Sequence, residues 1–160
     1  MEKLNILIVD DQRDVLNAAR KDLQGMEACF NLLECESAGE AKEVVEELYD
    51  EGKHTAVIVC DHIMANQNGV DFLIELNQDE RFKPIKKMLL TGLATHKDTI
   101  TAINMARIDR YIEKPWEPNE FLDDVKKLAT EYFLDVGIDY QPYMSVLHQP
   151  TLYERLQSQA

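Results

Sequence analysis

Five short apolar runs rich in β-formers, separated by stretches of helical periodicity, constrain this chain more than any other feature. The runs cover residues 5–9, 32–35, 56–60, 87–90 and 110–112. Between them, apolar residues recur at steps of three and four, the spacing of one helix face. Leu16, Ala19, Leu23 and Met26 form the first such set, and Ala41, Val44, Val45 and Leu48 the second. The third runs from Gly69 through Val70, Leu73 and Ile74. The fourth carries Ile100 and Ile103 after a start at Thr95-His-Lys-Asp98, and the fifth aligns Phe121, Val125, Leu128 and Tyr132. Ser37-Ala-Gly-Glu40 predicts a capping box, in which Ser and Glu each satisfy a free amide of the other. Pro118 suits the first turn of the fifth helix.

Strands alternating with helices imply βαβ units, hence a parallel sheet covered by helices on both faces. Ile6-Leu-Ile-Val9 and Val57-Ile-Val-Cys60 are apolar without alternation, as strands buried on both sides should be. The expectation is an α/β, doubly wound, flavodoxin-like (βα)5 fold with a five-stranded parallel sheet over residues 1–133. A short C-terminal extension, 134–160, follows.

In such a sheet, ligands bind beyond the carboxyl ends of the strands. The first strand runs into Asp10-Asp11, the third into Asp61, the fourth into Thr91-Gly92 and the fifth into Lys114-Pro115. Each alone has an ordinary explanation, since Asp after a strand is a common turn former. Together they bring three carboxylates, a hydroxyl and an ammonium to one edge. Crowded carboxylates raise one another's pKa unless a cation sits among them. An all-oxygen ligand set favours a hard ion, Mg2+ above all, with Mn2+ as an alternative. Lys and Thr suit a phosphoryl oxygen, one by charge and the other by a hydrogen bond.

Charge and cysteine content narrow the partners. Acidic residues outnumber basic ones 30 to 17, for a formal charge of -13. No surplus of Lys and Arg exists to neutralise phosphates, which disfavours direct nucleic-acid binding and an anionic membrane surface. The N-terminus lacks the pattern of a signal peptide and no stretch reaches the length of a membrane span. Cys29, Cys35 and Cys60 show neither CxxC nor zinc spacing, so idle thiols in a reducing, cytoplasmic setting are expected.

These residues resemble a receiver domain of a two-component response regulator. Ile6-Leu-Ile-Val-Asp-Asp11 resembles the family's first strand and acidic pair. Val57-Ile-Val-Cys-Asp61, with Met64 and Gly69 after it, resembles the phosphoacceptor strand and loop. Leu89-Leu-Thr91-Gly92 and Tyr111-Ile-Glu-Lys114-Pro115 resemble the switch Thr, the switch aromatic and the Lys. Ala102-Ile-Asn104 through Arg110-Tyr111, with Lys114-Pro-Trp116, is similar to a subgroup found in multidomain regulators. The resemblance covers about residues 4–133. It implies that Asp61 accepts phosphate from a phosphohistidine on a sensor histidine kinase or phosphotransfer protein. Asp11 and Asp61 would hold Mg2+ directly, with Asp10 assisting and the backbone carbonyl of Ile63 completing the protein's share. Thr91 and Lys114 would contact the phosphoryl group, and Tyr111 would change rotamer as Thr91 is drawn in. Such a chain is a self-phosphorylating, self-dephosphorylating switch rather than a conventional turnover enzyme. Ala65 stands where Pro is common four residues after the acceptor, and Gly92 where Ala is common after the switch Thr. Ile63 and Leu93 flank the path of an attacking water; both are apolar, which predicts slow loss of the phosphoryl group.

His62 adjoins the acceptor. Alternation along a strand predicts that it points away from Asp61, as an exposed loop residue. Trp116 suits either a partner anchor or a half-buried side chain on the last helix. Glu43, Glu46, Glu47, Asp50 and Glu51 read as the wet face of the second helix. In the tail, Pro142 and Pro150 bound the apolar piece Tyr143-Met-Ser-Val-Leu147. A short helix from Pro150 would carry Leu152, Tyr153 and Leu156 on one side. A strap on its own domain, a homodimer or downstream-partner contact, and a fragment whose output domain lies beyond are the three readings. Two rival functions are a phosphorylation-independent adaptor and a phosphohydrolase of the haloacid-dehalogenase kind. The second needs Asp-x-Asp after the first strand, and Gln12 occupies its second position.

Overall fold

A computed structural model describes residues 1–65, 67–92 and 96–158. The strands are β1 Leu4–Val9, β2 Phe30–Cys35, β3 Thr55–Asp61, β4 Lys86–Thr91 and β5 Arg110–Glu113. The helices are α1 Arg13–Asp22, α2 Ala38–Asp50, α3 Gly69–Gln78, α4 Lys97–Ala106, α5 Pro118–Val136 and α6 Gln149–Ser158. All strand pairs are parallel, in the order β2-β1-β3-β4-β5. That is the flavodoxin-like order, whose direction of winding reverses between β1 and β3.

Alternation along the strands divides the core in two. Ile6, Ile8, Val57, Val59, Met88, Leu90 and Ile112 face α1 and α5, packing on Leu16, Ala19, Phe121, Val125 and Leu128. Leu7, Val9, Ile58, Cys60 and Leu89 face α2, α3 and α4, packing on Ala41, Val45, Val70, Leu73, Ile103 and Ala106. Strands covered on both sides need apolar residues at every position, which is why β1 and β3 lack a polar stripe. Met26, expected on the first helix, lies in a 3-10 turn, Gln24–Met26, that carries the apolar stripe one turn beyond α1.

Local chemistry sets the helix ends. Ser37 Oγ accepts from Glu40 N at 3.0 Å, as the capping box requires, but the Glu40 carboxylate accepts from Glu36 N rather than from Ser37. Glu117 caps α5 through the amides of Asn119 and Glu120, with Pro118 in the first turn. Thr95, the expected start of α4, lies outside the described residues; the helix begins at Lys97. Ile100 is exposed while Ile103 is buried, so α4 shows the core only part of its expected apolar face.

Beyond α5 the chain turns at Gly137, whose φ of 78° is a left-handed conformation that glycine adopts without strain. A 3-10 turn, Gln141–Tyr143, places the Tyr143 ring 4.7 Å from that of Phe133, and its hydroxyl donates to the Glu2 carbonyl. Tyr143, Val146 and Leu147 are buried in the same cluster as Phe30 and Leu128. Helix α6 lies on α5, with Leu152 buried and Arg155 paired with Asp135 at 2.7 Å. Tyr153, expected to share the Leu152 side, is 62% exposed; a helix resting on one neighbour buries a narrower stripe than the apolar residues of its pattern suggest. Among the described residues no helix is long and apolar enough to cross a membrane.

Candidate phosphoacceptor site

At the carboxyl ends of β1, β3 and β5 the ladder continues one residue past each strand's apolar stretch, and this sets which side chains meet. Asp10 N donates to Cys35 O, and Lys114 N to Thr91 O. By alternation Asp10, Asp61 and Lys114 share the α1/α5 side of the sheet edge with Ile8, Val59 and Ile112. Lys114 Nζ lies 2.5 Å from Asp61 Oδ1 and 3.2 Å from Asp10 Oδ2. One carboxylate oxygen from each of Asp10, Asp11 and Asp61 falls within 4.8 Å of the others. Asp10 and Asp61 are buried and Asp11 is exposed. Asp10 Oδ1 also accepts from Gln12 N at 2.9 Å, and Asp11 Oδ2 accepts from Ala65 N at 2.9 Å, drawing the loop after β3 toward the first acidic pair.

Burial governs the electrostatics. It lifts the Asp61 carboxyl above its ordinary range; the Lys114 hydrogen bond opposes that, and the charges of Asp10 and Asp11 reinforce it. Burial likewise pushes the Lys114 ammonium down, but the hydrogen bond and charge of Asp61, with the charge of Asp10, hold it above its usual value. One ammonium shared among three carboxylates leaves the cluster short of positive charge. A cleft of 290 Å3 beside it is lined by Gln12, Asp61, His62, Ile63, Thr91, Gly92 and Lys114.

Gly69 closes the loop from behind. Its amide donates to His62 O at 2.7 Å, and a Cβ at this position would stand 1.8 Å from the Asp61 carbonyl oxygen. Only a residue without a side chain lets α3 start so near the acceptor. Asn68 then caps α3 through the amide of Val70 at 2.8 Å.

Thr91 and Tyr111 lie with Leu89 on the other side of the sheet, toward α3 and α4. Thr91 is buried and Tyr111 is 48% exposed. His62 requires a correction. It points away from Asp61 as alternation demands, yet it is only 7% exposed. One ladder bond runs on past β3, with His62 N donating to Leu90 O at 2.9 Å, which fixes the residue just beyond the strand. By alternation its ring lies on the α3/α4 side of the sheet, where Nδ1 shares a 2.9 Å hydrogen bond with Thr91 Oγ1. The clue available in the sequence was the polar pair His62 and Thr91 at the ends of neighbouring apolar strands. Ile63 is 62% exposed at the mouth of the cleft; Leu93, its companion in the lifetime argument, lies outside the described residues. Trp116 is half-buried, stacked near Phe121 at 4.9 Å and donating to Asp22 at 2.8 Å. The three cysteines are buried and free, and burial pushes the Cys60 thiol up, away from reactivity.

Comparison with known proteins agrees with this arrangement. The chain is 32% identical over 126 residues to the hydrogenase transcriptional regulatory protein HoxA of Cupriavidus necator, a match covering 79% of this chain and 24% of that protein. The chain therefore spans about a quarter of that relative's length. It is 31% identical over 115 residues to the chemotaxis protein CheY1 of Helicobacter pylori, covering 72% of this chain and 88% of that protein. The signal receiver domain of an HD domain-containing protein from Pseudomonas fluorescens Pf-5 has the same fold, at a TM-score of 0.73 and 21% identity, covering 86% of this chain and 95% of that one. The family model described as the response regulator receiver domain matches residues 6–126, and the chain belongs to that family.

Proposed function

We propose that the chain is a Mg2+-dependent phosphoacceptor in which Asp61 takes a phosphoryl group from a phosphohistidine on a sensor histidine kinase or phosphotransfer protein. The observation that carries this reading is the buried Asp61 carboxylate, 2.5 Å from Lys114 Nζ and grouped with Asp10 and Asp11 at one sheet edge. The donor set fits a hard divalent ion: it is all oxygen, anionic, and has one ammonium for three carboxylates. Asp11 and Asp61 would hold it, with Asp10 and the Ile63 carbonyl in support. Such an ion, when bound, neutralises charge that develops on the transferring phosphoryl oxygens.

The chain's own residues do the rest. An Asp61 carboxylate oxygen attacks phosphorus, the P–N bond to the donor imidazole breaks, and the imidazole leaves carrying a proton. An acyl phosphate on Asp61 results. Lys114, already beside that oxygen, stays as counter-ion to the product. Positioning and charge neutralisation are what phosphoryl transfer asks of a protein; Lys114 supplies part of the neutralisation, and a bound divalent ion would supply the rest. Thr91 would supply a hydrogen bond to the phosphoryl group, and Tyr111, half in solvent beside it, would report the change to a partner surface. Residues 134–158 act in this reading as a strap on the receiver at residues 1–133.

The test uses a small phosphodonor such as acetyl phosphate with Mg2+, read by intact mass and by alkaline lability of the adduct. Wild type gains one phosphoryl group when Mg2+ is present and none when the metal is chelated before the donor is added; Asp61→Asn, nearly isosteric, gains none while its circular dichroism is unchanged. An equal adduct on the variant would overturn the assignment of Asp61.

A further inference from the structure

Three side chains at the site face the α3/α4 side of the sheet, and one contact among them is not explained by phosphoryl chemistry. His62 follows the acceptor, is buried, and shares a 2.9 Å hydrogen bond with the Thr91 hydroxyl. Asp61, with Lys114 and Asp10, faces the opposite side. Thr91 and His62 nonetheless line the same cleft as Asp61 and Lys114, so a phosphoryl group on Asp61 would compete with the imidazole for the Thr91 hydroxyl. Backbone bonds fix both partners: His62 N to Leu90 O, and Lys114 N to Thr91 O. The imidazole cannot follow Thr91 across the edge without breaking the ladder.

We propose that His62 is a positioning residue that holds the switch Thr91 in its resting orientation, so that its hydrogen bond sets the threshold for the phosphorylated state. This rests on the reading of Asp61 as phosphoacceptor. In the resting chain the hydroxyl is satisfied by the imidazole within a buried setting. On phosphorylation it exchanges that partner for a phosphoryl oxygen, and the equilibrium between the two arrangements depends on the difference. A net hydrogen bond of ordinary strength makes the resting form about three- to tenfold more populated than it would be without His62. The residue acts through Thr91 and touches neither phosphorus nor metal.

The experiment measures the apparent Kd for beryllofluoride with Mg2+, an acyl-phosphate mimic, by fluorine NMR on the full chain. His62→Phe keeps the ring volume and removes the ring nitrogens; His62→Asn retains a side-chain donor and acceptor. Binding should tighten about three- to tenfold in His62→Phe and return toward wild type in His62→Asn. In a Thr91→Val background, His62→Phe should change nothing, because the hydroxyl it acts through is gone. A packing role would instead persist in that background, and an equal effect there overturns the proposal, as does an unchanged or weaker Kd in His62→Phe. The wild-type chain supplies an independent readout should the variants fold poorly. The His62 Nδ1 nitrogen shift should move when beryllofluoride is added, and a shift that stays put overturns the proposal. Failure of the wild type to bind beryllofluoride at all would count against Asp61 as acceptor, and is told apart from failure of the His62 step, in which wild type binds normally.

Discussion

The two ends of the same sheet treat charge in opposite ways. At the amino end, charged and polar groups are closed off locally. Lys87, 1% exposed, donates its Nζ to Ile85 O at 2.7 Å and Lys83 O at 3.3 Å, while its amide donates to Asp109 at 2.8 Å. His54 Nδ1 bonds the Tyr132 hydroxyl at 2.9 Å, and Tyr143 ties the tail to Glu2. At the carboxyl end, three carboxylates share one ammonium and a glycine makes room for a loop that nothing larger would permit. One end is arranged so that nothing more is needed. The other is incomplete in charge and crowded in space, the state from which a bound cation and a phosphoryl group gain most.

The crowding at the carboxyl end predicts that the largest effect comes from Gly69→Ala. The added Cβ must displace the Asp61 carbonyl or the start of α3, costing about 3 kcal/mol or more by overpacking at a site fixed by backbone on both sides. A thermal melt checks the loss, and phosphate uptake should fall with it. At the closed end, Leu152→Ala should lower stability by about 2–3 kcal/mol through lost burial and an unfilled gap, with phosphorylation of Asp61 unchanged. If uptake changed as well, the tail would be coupled to the site and the contrast between the ends would fail. Asp11→Ala removes one of three anionic oxygens and should weaken Mg2+ by about ten- to a hundredfold, ~1.4–2.7 kcal/mol, read by calorimetry.

The smallest effect concerns pH. Burial pulls the Lys87 pKa down to about 8 from 10.5. Between those values the unfolded chain binds a proton that the folded chain does not, so stability contributed through this group rises with pH. Raising pH from 7.5 to 9.5 should shift the stability difference between wild type and Lys87→Met toward wild type by about 1–2 kcal/mol. Denaturation curves at the two pH values test it; a flat difference would mean that Lys87 is less desolvated than its burial indicates.

What could be read from the residues beforehand follows the range of the forces involved. Asp10, Asp61 and Lys114 were legible because strand-end placement depends only on local pattern and on the rule that ligands sit at the carboxyl edge. The face on which His62 lies was also legible, since alternation is a property of one strand. Its burial was not, because that depends on what packs on that side of the sheet, Thr91 of the neighbouring strand included, a matter of several elements at once. Tyr153 went the same way: helical spacing put it beside Leu152, but only the single neighbour α5 decides how wide a stripe is covered. Gly69 was legible as a motif position, and the reason for it was not, since the clash lies with a backbone oxygen eight positions earlier.

Asp135 gives a last consequence. Its two oxygens hold Lys86 at 2.6 Å and Arg155 at 2.7 Å, so one carboxylate joins the first residue of β4 to α5 and to the tail helix. β4 ends five residues on at Thr91, roughly 17 Å up the strand. The foot of β4 is thus tied by side chains to α5 and the tail, while its tip is held in the sheet by His62 N to Leu90 O and Lys114 N to Thr91 O. With both ends of the strand held, the proposed exchange of partners would move the Thr91 side chain and not the strand, which would confine the displacement to the surface around Tyr111 and α4 and leave the strapped end a fixed frame.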